Sequence, residues 1–284
     1  MNAPWQVLQG IAELAYYLSM DGRARTAAEI AIANLRTKIL DLQLEDGMIM
    51  DDLYLLRWLK ARGMDPDKAE RMLRRALKWR EEDNAKGLRD IKVHPELHET
   101  FSLIKRRTRT GEPVYFVNPY IDLQKLLDQF GMEDAYIRVK QTILDAEEAN
   151  IKWNKEVFEN QGSDVITEET IKGNTLVLDW KNVSFRQVSS IICFKFLKQL
   201  AMDYLKYFPG LGAALILVNC PRLALHVVNV FKPLIVSPYL TIEVYDSNEE
   251  KWKPQLLKRI HPDELLVQYG GTSRNQWETK RGDI

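Results

Sequence analysis

Long hydrophobic runs are missing from this chain of 284 residues. No segment approaches the ~18–20 consecutive apolar residues that a membrane-spanning helix needs. Net charge is missing too: 40 Lys and Arg balance 40 Asp and Glu, which argues against a general nucleic-acid binder. Cysteine is scarce. Cys193 and Cys220 both lie in apolar segments, so a disulfide framework is excluded and a reducing compartment is expected. The first twenty residues have no basic n-region and carry Glu13 within their apolar part, a poor signal peptide, so the expected location is cytoplasmic.

Catalytic signatures are also missing. No G-x-G-x-x-G, Walker loop or G-x-S-x-G elbow occurs. Gly210 and Gly212 come just before a strand, on the wrong side for cradling a phosphate. His94 and His98 are four apart and can share a helical face, but no third ligand follows at a recognisable spacing. Neither a metal nor a resident cofactor is expected. Asp179, at the carboxyl end of a strand, is a candidate general base beside the histidines, although a carboxylate capping the next loop is the commoner use of that position. The chain is read as not an enzyme.

What is present is organised around Gly212 to Ile235. Ala213 to Asn219 is a short Leu-, Ile- and Val-rich run, the pattern of a strand buried on both faces. Cys220-Pro221 ends it, and Pro221 suits the first turn of a helix. Arg222, His226, Asn229 and Lys232 then recur as one narrow polar stripe. The rest of that helix, including Leu223, Leu225, Val228 and Phe231, is apolar over more than half its circumference. One protein core does not need so much apolar surface, and a bound lipid or a membrane would use the excess.

Helical periodicity covers most of the first hundred residues: Ala27 to Leu44, the segment opened by Asp51 and Asp52 and stopped by Gly63, and a helix capped by Asp65 with Pro66 in its first turn. The last turns Ala69, Leu73, Ala76 and Leu77 inward and crowds Lys68, Arg71, Arg74, Arg75 and Lys78 outward, as a solvated face or a patch for acidic lipids. Beyond it, Lys105 to Arg109 reads as a basic loop before a strand at Val114 to Val117. Helices follow over Asp122 to Phe130 and Glu133 to Asn160, then a strand at Thr175 to Leu178 and a helix over Phe185 to Tyr207. A strand at Thr241 to Tyr245 and a helix from Trp252 to Ile260 close the pattern. Strands alternating with helices across short joins predict an α/β fold with a mainly parallel sheet flanked by helices.

The strings LLRWLKARGMDPDKAERMLRRALKWRE, EPVYF, LVLDWKNVS, YFPG, ILVNCPRL, NVFKPLI, WKPQLLKRI and LLVQYGGTS occur in that order. Together they resemble the CRAL-TRIO lipid-binding and lipid-transfer family, most of all its animal branch of tocopherol-associated and supernatant protein factor-like members. The resemblance implies an N-terminal helical region over 1–98, of the family's N-terminal type from about 51, a lipid-binding domain over 99–272, and a polar tail over 273–284. It implies a helical bundle packed on the α/β domain and a hydrophobic pocket closed by a gate helix. The expected pocket wall is Tyr115, Val117, Leu176, Leu178, Ile192, Phe196, Leu215 and Leu217, and the expected gate carries Leu223, Leu225, Val228, Phe231 and Leu234.

Of the headgroup positions of the fungal phosphatidylinositol transfer members, Arg62 is kept. Its basic partner becomes Gly63, the acidic position becomes Gly210, and the lysine falls near Ile242. Of the phosphatidylcholine contacts, Tyr115 is kept and two hydroxyls become Asn174 and Leu176. An acidic headgroup would be left unpaired at a large cost. The expected partner is therefore one hydrophobic small molecule (a tocopherol, retinoid, carotenoid, sterol precursor or phospholipid) carried between membranes with transient, peripheral membrane contact. The alternatives are a lipid-sensing regulatory adaptor and a phosphatidylinositol or phosphatidylcholine transfer protein.

Overall fold

A computed structural model describes residues 23–42, 51–83, 87–232, 239–275 and 277. They divide into two compact units. The first comprises the described residues up to Arg75 together with Ile151–Ile171, and the second comprises Ala76–Asn150 and the described residues from Lys172 onward.

Helix α1 (Ala27–Lys38) of the first unit opens with a capping box in which Thr26 Oγ1 accepts from Glu29 N and the Glu29 carboxylate accepts from Thr26 N. Arg23 grips the same carboxylate at 2.6 and 2.9 Å, and Ile166 N donates to it at 3.1 Å. The Arg23 hydrogen bond and these backbone donors hold the Glu29 carboxyl at about 2. The helix stops at Lys38, short of the expected Leu44, because Ile39 leaves helical geometry; Leu44 lies outside the described residues. Helix α2 (Asp52–Lys60) is capped by Asp51, which accepts from Leu53 N and Tyr54 N, and a left-handed Gly63 (φ 63°) follows it. Helix α3 (Pro66–Glu82) buries Ala69, Met72, Leu73 and Ala76. Of its basic face, Arg74 is paired with Asp41 and Glu70, and Lys68 with Asp65. These counter-charges favour the solvated-face reading.

After a 3-10 turn at Gly87–Asp90, the second unit runs through α4 (Pro95–Thr100), β1 (Leu103–Arg107), β2 (Pro113–Val117), α5 (Leu123–Asn160), β3 (Asn174–Asp179), α6 (Phe185–Val188), α7 (Ile191–Tyr207), β4 (Gly212–Val218), α8 (Arg222–Phe231), β5 (Thr241–Val244) and α9 (Glu249–Arg259). The strands lie side by side in chain order; β1 is antiparallel to β2, and β2 to β5 are parallel. The α/β class and the mainly parallel sheet are as expected.

Three local expectations change. The basic stretch after Ser102 is an edge strand rather than a loop: Ile104 turns inward while Lys105 and Arg107 face water. The predicted helix over Phe185 to Tyr207 is two helices, because Ser190 leaves the first and caps the second by accepting from Cys193 N at 3.2 Å. Helix α9 begins three residues before Trp252, where Asn248 caps it. In α5, Gly131 at φ 81° supplies the expected break between two helical pieces.

The two faces of the sheet differ. Val114, Phe116, Val177, Ile216 and Val218 pack against Trp252, Leu256, Ile260 and Tyr269 in a closed core. The other face looks toward α5, α7 and α8 and is not filled. His94 caps α4, accepting from Glu96 N at 3.3 Å, and its ring lies tilted against Phe130 with centroids 4.7 Å apart. Among the described residues no group of three metal-ligating side chains occurs, and no helix is long and apolar enough to cross a membrane.

Candidate functional site: an apolar cavity in the second unit

Side chains of a strand alternate between faces, so one row of register partners shares a face. Tyr115, Leu176, Leu215 and Ile242 are successive partners across β2 to β5, and Leu178 and Leu217 form the next row. All six line a cavity of about 450 Å³. Val117 joins them at the end of β2, and Asn174 at the start of β3. The opposite wall comes from the stripe Val139, Ile143 and Ala146 of α5 and from Phe196, Leu200 and Tyr204 of α7. Val188 of α6 and the buried Val228 of α8 complete the enclosure.

Not every expected wall residue is there. Ile192 is absent from the lining and packs instead with Leu97, Leu126 and Leu127. The second capped helix starts at Ile191, so Cys193, Phe196, Leu197 and Leu200 present the lining face. On α8, Leu225 packs into a cluster with Leu178, Leu215 and Ile242 and does not line the cavity. Leu223 and Phe231 lie on α8, while Leu234 falls outside the described residues. Arg62 belongs to the first unit and is not a lining residue. Its guanidinium donates to Ala61 O at 2.8 Å, and burial together with the Arg75 charge lowers its pKa.

The polar groups on the wall are mostly committed to the chain itself. Asp179 Oδ1 accepts from Lys181 N and from Asn219 Nδ2. Asn118 bridges Thr100 O and Tyr120 N, and Thr142 Oγ1 donates to Arg138 O. Lys232, exposed beyond the end of α8, is the single lysine or arginine among the described lining residues. Among the described residues the buried Tyr115 hydroxyl meets no hydrogen-bond partner, and burial raises its pKa. Behind Asn174 stands a residue that sequence reasoning passed over: Asn150 Nδ2, one turn beyond Ala146, donates to Asn174 Oδ1 at 2.7 Å. The continuing α5 stripe was the available signal, but the contact spans 24 residues of sequence. The arrangement can hold an apolar body.

The chain was compared with known proteins. It is 26% identical over 266 residues to "SEC14 cytosolic factor" of Yarrowia lipolytica, covering 90% of this chain and 50% of that protein. It is 27% identical over 228 residues to "Patellin-6" of Arabidopsis thaliana, covering 78% and 51%. The chain thus spans about half the length of these two relatives. These similarities do not support a place in the animal tocopherol-associated branch. The crystal structure of Sfh5 has a similar fold, with a TM-score of 0.58 and 14% identity, over 90% of this chain and 96% of that one. The family model of the CRAL/TRIO domain matches residues 98–271, more than half of the chain, with the whole cavity wall inside it. The chain belongs to the CRAL/TRIO domain family.

Proposed function

We propose that the protein takes one hydrophobic molecule or lipid into this cavity and carries or presents it between membranes, with α8 as the gate. The observation that carries the reading is the cavity itself. Its size falls within the ~300–1,000 Å³ typical of ligand sites, and its wall is built from apolar rows of a parallel sheet and apolar helix stripes. The family is one of lipid-binding and lipid-transfer proteins. A chain of about sixteen methylenes, at ~0.8 kcal/mol each, costs ~13 kcal/mol to expose to water, so an enclosed carrier removes a large barrier to transfer.

A neutral or weakly polar cargo fits best: a tocopherol, retinoid, carotenoid, sterol precursor or uncharged lipid. Lys232 is the one lysine or arginine among the described lining residues, and Arg62 is not on the wall. An acidic headgroup inside would meet little compensating charge. Phosphatidylinositol or phosphatidylcholine transfer is the competing reading, favoured by the similarity to SEC14 cytosolic factor.

Membrane contact is supported by Phe185 and Ile191, 71% and 73% exposed at the junction of α6 and α7, with Arg186, Lys195 and Lys198 exposed around them. Such a surface suits peripheral docking on an anionic bilayer, an apolar wedge within a basic rim. The test is native mass spectrometry of protein from its own cells, followed by organic extraction. One uncharged hydrophobic species at near-stoichiometric occupancy is expected; phosphatidylinositol would overturn the neutral-cargo reading. Transfer between vesicles then separates a carrier from a lipid-sensing adaptor, which would bind tightly without transferring.

A further inference from the structure

The junction between α6 and α7 carries a hydroxyl that cargo binding does not use. Ser189 is exposed there, four residues after Phe185 and two before Ile191, the apolar side chains that stand 71% and 73% exposed. Its Oγ donates to Phe185 O at 2.9 Å and to Arg186 O at 3.4 Å. The neighbouring Ser184 and Ser190 spend their oxygens as helix caps, accepting from Gln187 N and Cys193 N. Among the described residues no donor meets Ser189 Oγ, so its lone pairs are open to an electrophile. Arg186 stands three residues before it, 67% exposed and paired with Asp128 at 2.8 Å. Such a surface pair contributes little and leaves the guanidinium available. Basophilic protein kinases choose serines by an arginine at this spacing. Helix α6 is a single turn of four residues, with little stability of its own, so it opens readily into the extended form that a kinase cleft accepts.

We propose that Ser189 is a phosphorylation site and that its phosphate lifts the protein off anionic membranes. The Ser189 oxygen bonds to the γ-phosphorus of ATP as the bond from that phosphorus to the ADP oxygen breaks, and the hydroxyl proton leaves to the kinase's base. The product carries about −1.5 to −2 charges at neutral pH. Ile191, Phe194, Lys195 and Lys198 recur along one exposed face of α7, and Arg186 and Asp128 complete the charges of the junction. A phosphate there offsets the cations that attract an acidic bilayer. It also sets a dianion between two side chains that must enter the bilayer, where an unpaired charge is very costly. The proposal rests on this junction being the membrane-contact surface and adds how that contact is regulated.

The test treats the whole protein with ATP and the catalytic subunit of cyclic-AMP-dependent protein kinase, then sediments it with vesicles of phosphatidylcholine and phosphatidylserine. Peptide mapping by mass spectrometry is expected to place a phosphate on Ser189, and vesicle binding to fall about tenfold or more. Ser189→Ala should keep its binding through the same treatment, whatever other positions the kinase modifies. Ser189→Asp should lose binding while the isosteric Ser189→Asn keeps it, and both should take up cargo from detergent. That split separates charge from shape, which misfolding would not do. A Ser189 left unmodified, or a phosphate on Ser184 or Ser190 in its place, overturns the site. Phosphate on Ser189 with unaltered vesicle binding overturns the switch and leaves the docking surface standing. Untreated protein that fails to sediment overturns the membrane-contact reading, and the switch with it.

Discussion

Asn219 and Asp179 tie together the carboxyl ends of two neighbouring parallel strands: Asn219 Nδ2 donates to Asp179 Oδ1 at 2.8 Å. The same oxygen accepts from Lys181 N at 2.9 Å, and Asn219 holds a left-handed backbone at φ 55°. The carboxylate that heads the list of candidate bases is thus engaged in a strand-end clasp. Asp179→Ala is expected to lower stability by about 1–2 kcal/mol, since it strands the part-buried Asn219 amide while the exposed Lys181 N turns to water. Asn219→Val should cost at least ~1 kcal/mol, because a β-branched residue resists the left-handed region, whereas Asn219→Gly should cost less. Urea unfolding of the three variants measures both effects. Lipid turnover abolished by Asp179→Asn in a folded protein would reinstate a catalytic role.

Leu215 stands in the middle of the longest cavity row, between Leu176 and Ile242. Leu215→Trp should fill the chamber from its floor and reduce cargo occupancy at least tenfold. Overpacking would cost ~1–3 kcal/mol if the space were already full, and less if it is a true void. Occupancy by native mass spectrometry and a melting curve on the same sample distinguish these results. Undiminished occupancy would move the cargo elsewhere.

Phe185 and Ile191 are mostly exposed, so their replacement should leave folding within ~0.5 kcal/mol of the wild type. The double variant Phe185→Asp with Ile191→Asp is expected to lose at least fivefold in sedimentation with anionic vesicles. Uptake of cargo from detergent should be retained. Unaltered vesicle binding would assign membrane contact to another surface.

Two carboxylates predict opposite pH behaviour. Burial pushes Asp203 up to about 6, with Asp83 adding to the shift and Lys206 opposing it, while Gln199 Nε2 donates to both carboxylate oxygens. Lys140, paired with Asp83, is the further cation in this neighbourhood. The folded value lies above the ordinary 3.8 of an aspartate, so stability is greatest below about 4 and declines as pH rises through 6. Asp203→Asn should therefore stabilise the protein at pH 7.5, by about 2 kcal/mol. Glu29 behaves in reverse. Its carboxyl is lowered to about 2, so its contribution is complete above 4.5 and disappears as pH falls from there toward 2. Glu29→Gln should cost about 2 kcal/mol at neutral pH and progressively less in acid. Melting temperatures of the wild type and both variants from pH 3 to 8 check the two signs.

The parallel strands were legible because a strand buried on both faces reads as an unbroken apolar run, as in Ala214 to Val218. That same property hid which residues face the cavity, since both parities are apolar and only the register of β2, β3 and β4 sorts them. Lys105, Arg106 and Arg107 concealed an edge strand because charge is how an edge is kept from pairing further. Ile192 was misassigned because apolar periodicity runs straight across Ser189-Ser190, where the chain starts a new helix. Asn150 continues the α5 stripe, but a polar residue on an apolar stripe acquires meaning only from what lies across from it, here Asn174, 24 residues away in sequence.

The alternation along the sheet has an evolutionary consequence. Val114, Phe116, Val177 and Ile216 answer to the tryptophan-rich core, while Tyr115, Leu176, Leu178, Leu215 and Leu217 answer to the void. Selection for thermal robustness and selection for a different passenger therefore act on interleaved positions of the same few strands with little interference. A lineage can resize its hold by exchanging alternate residues and keep the keel untouched.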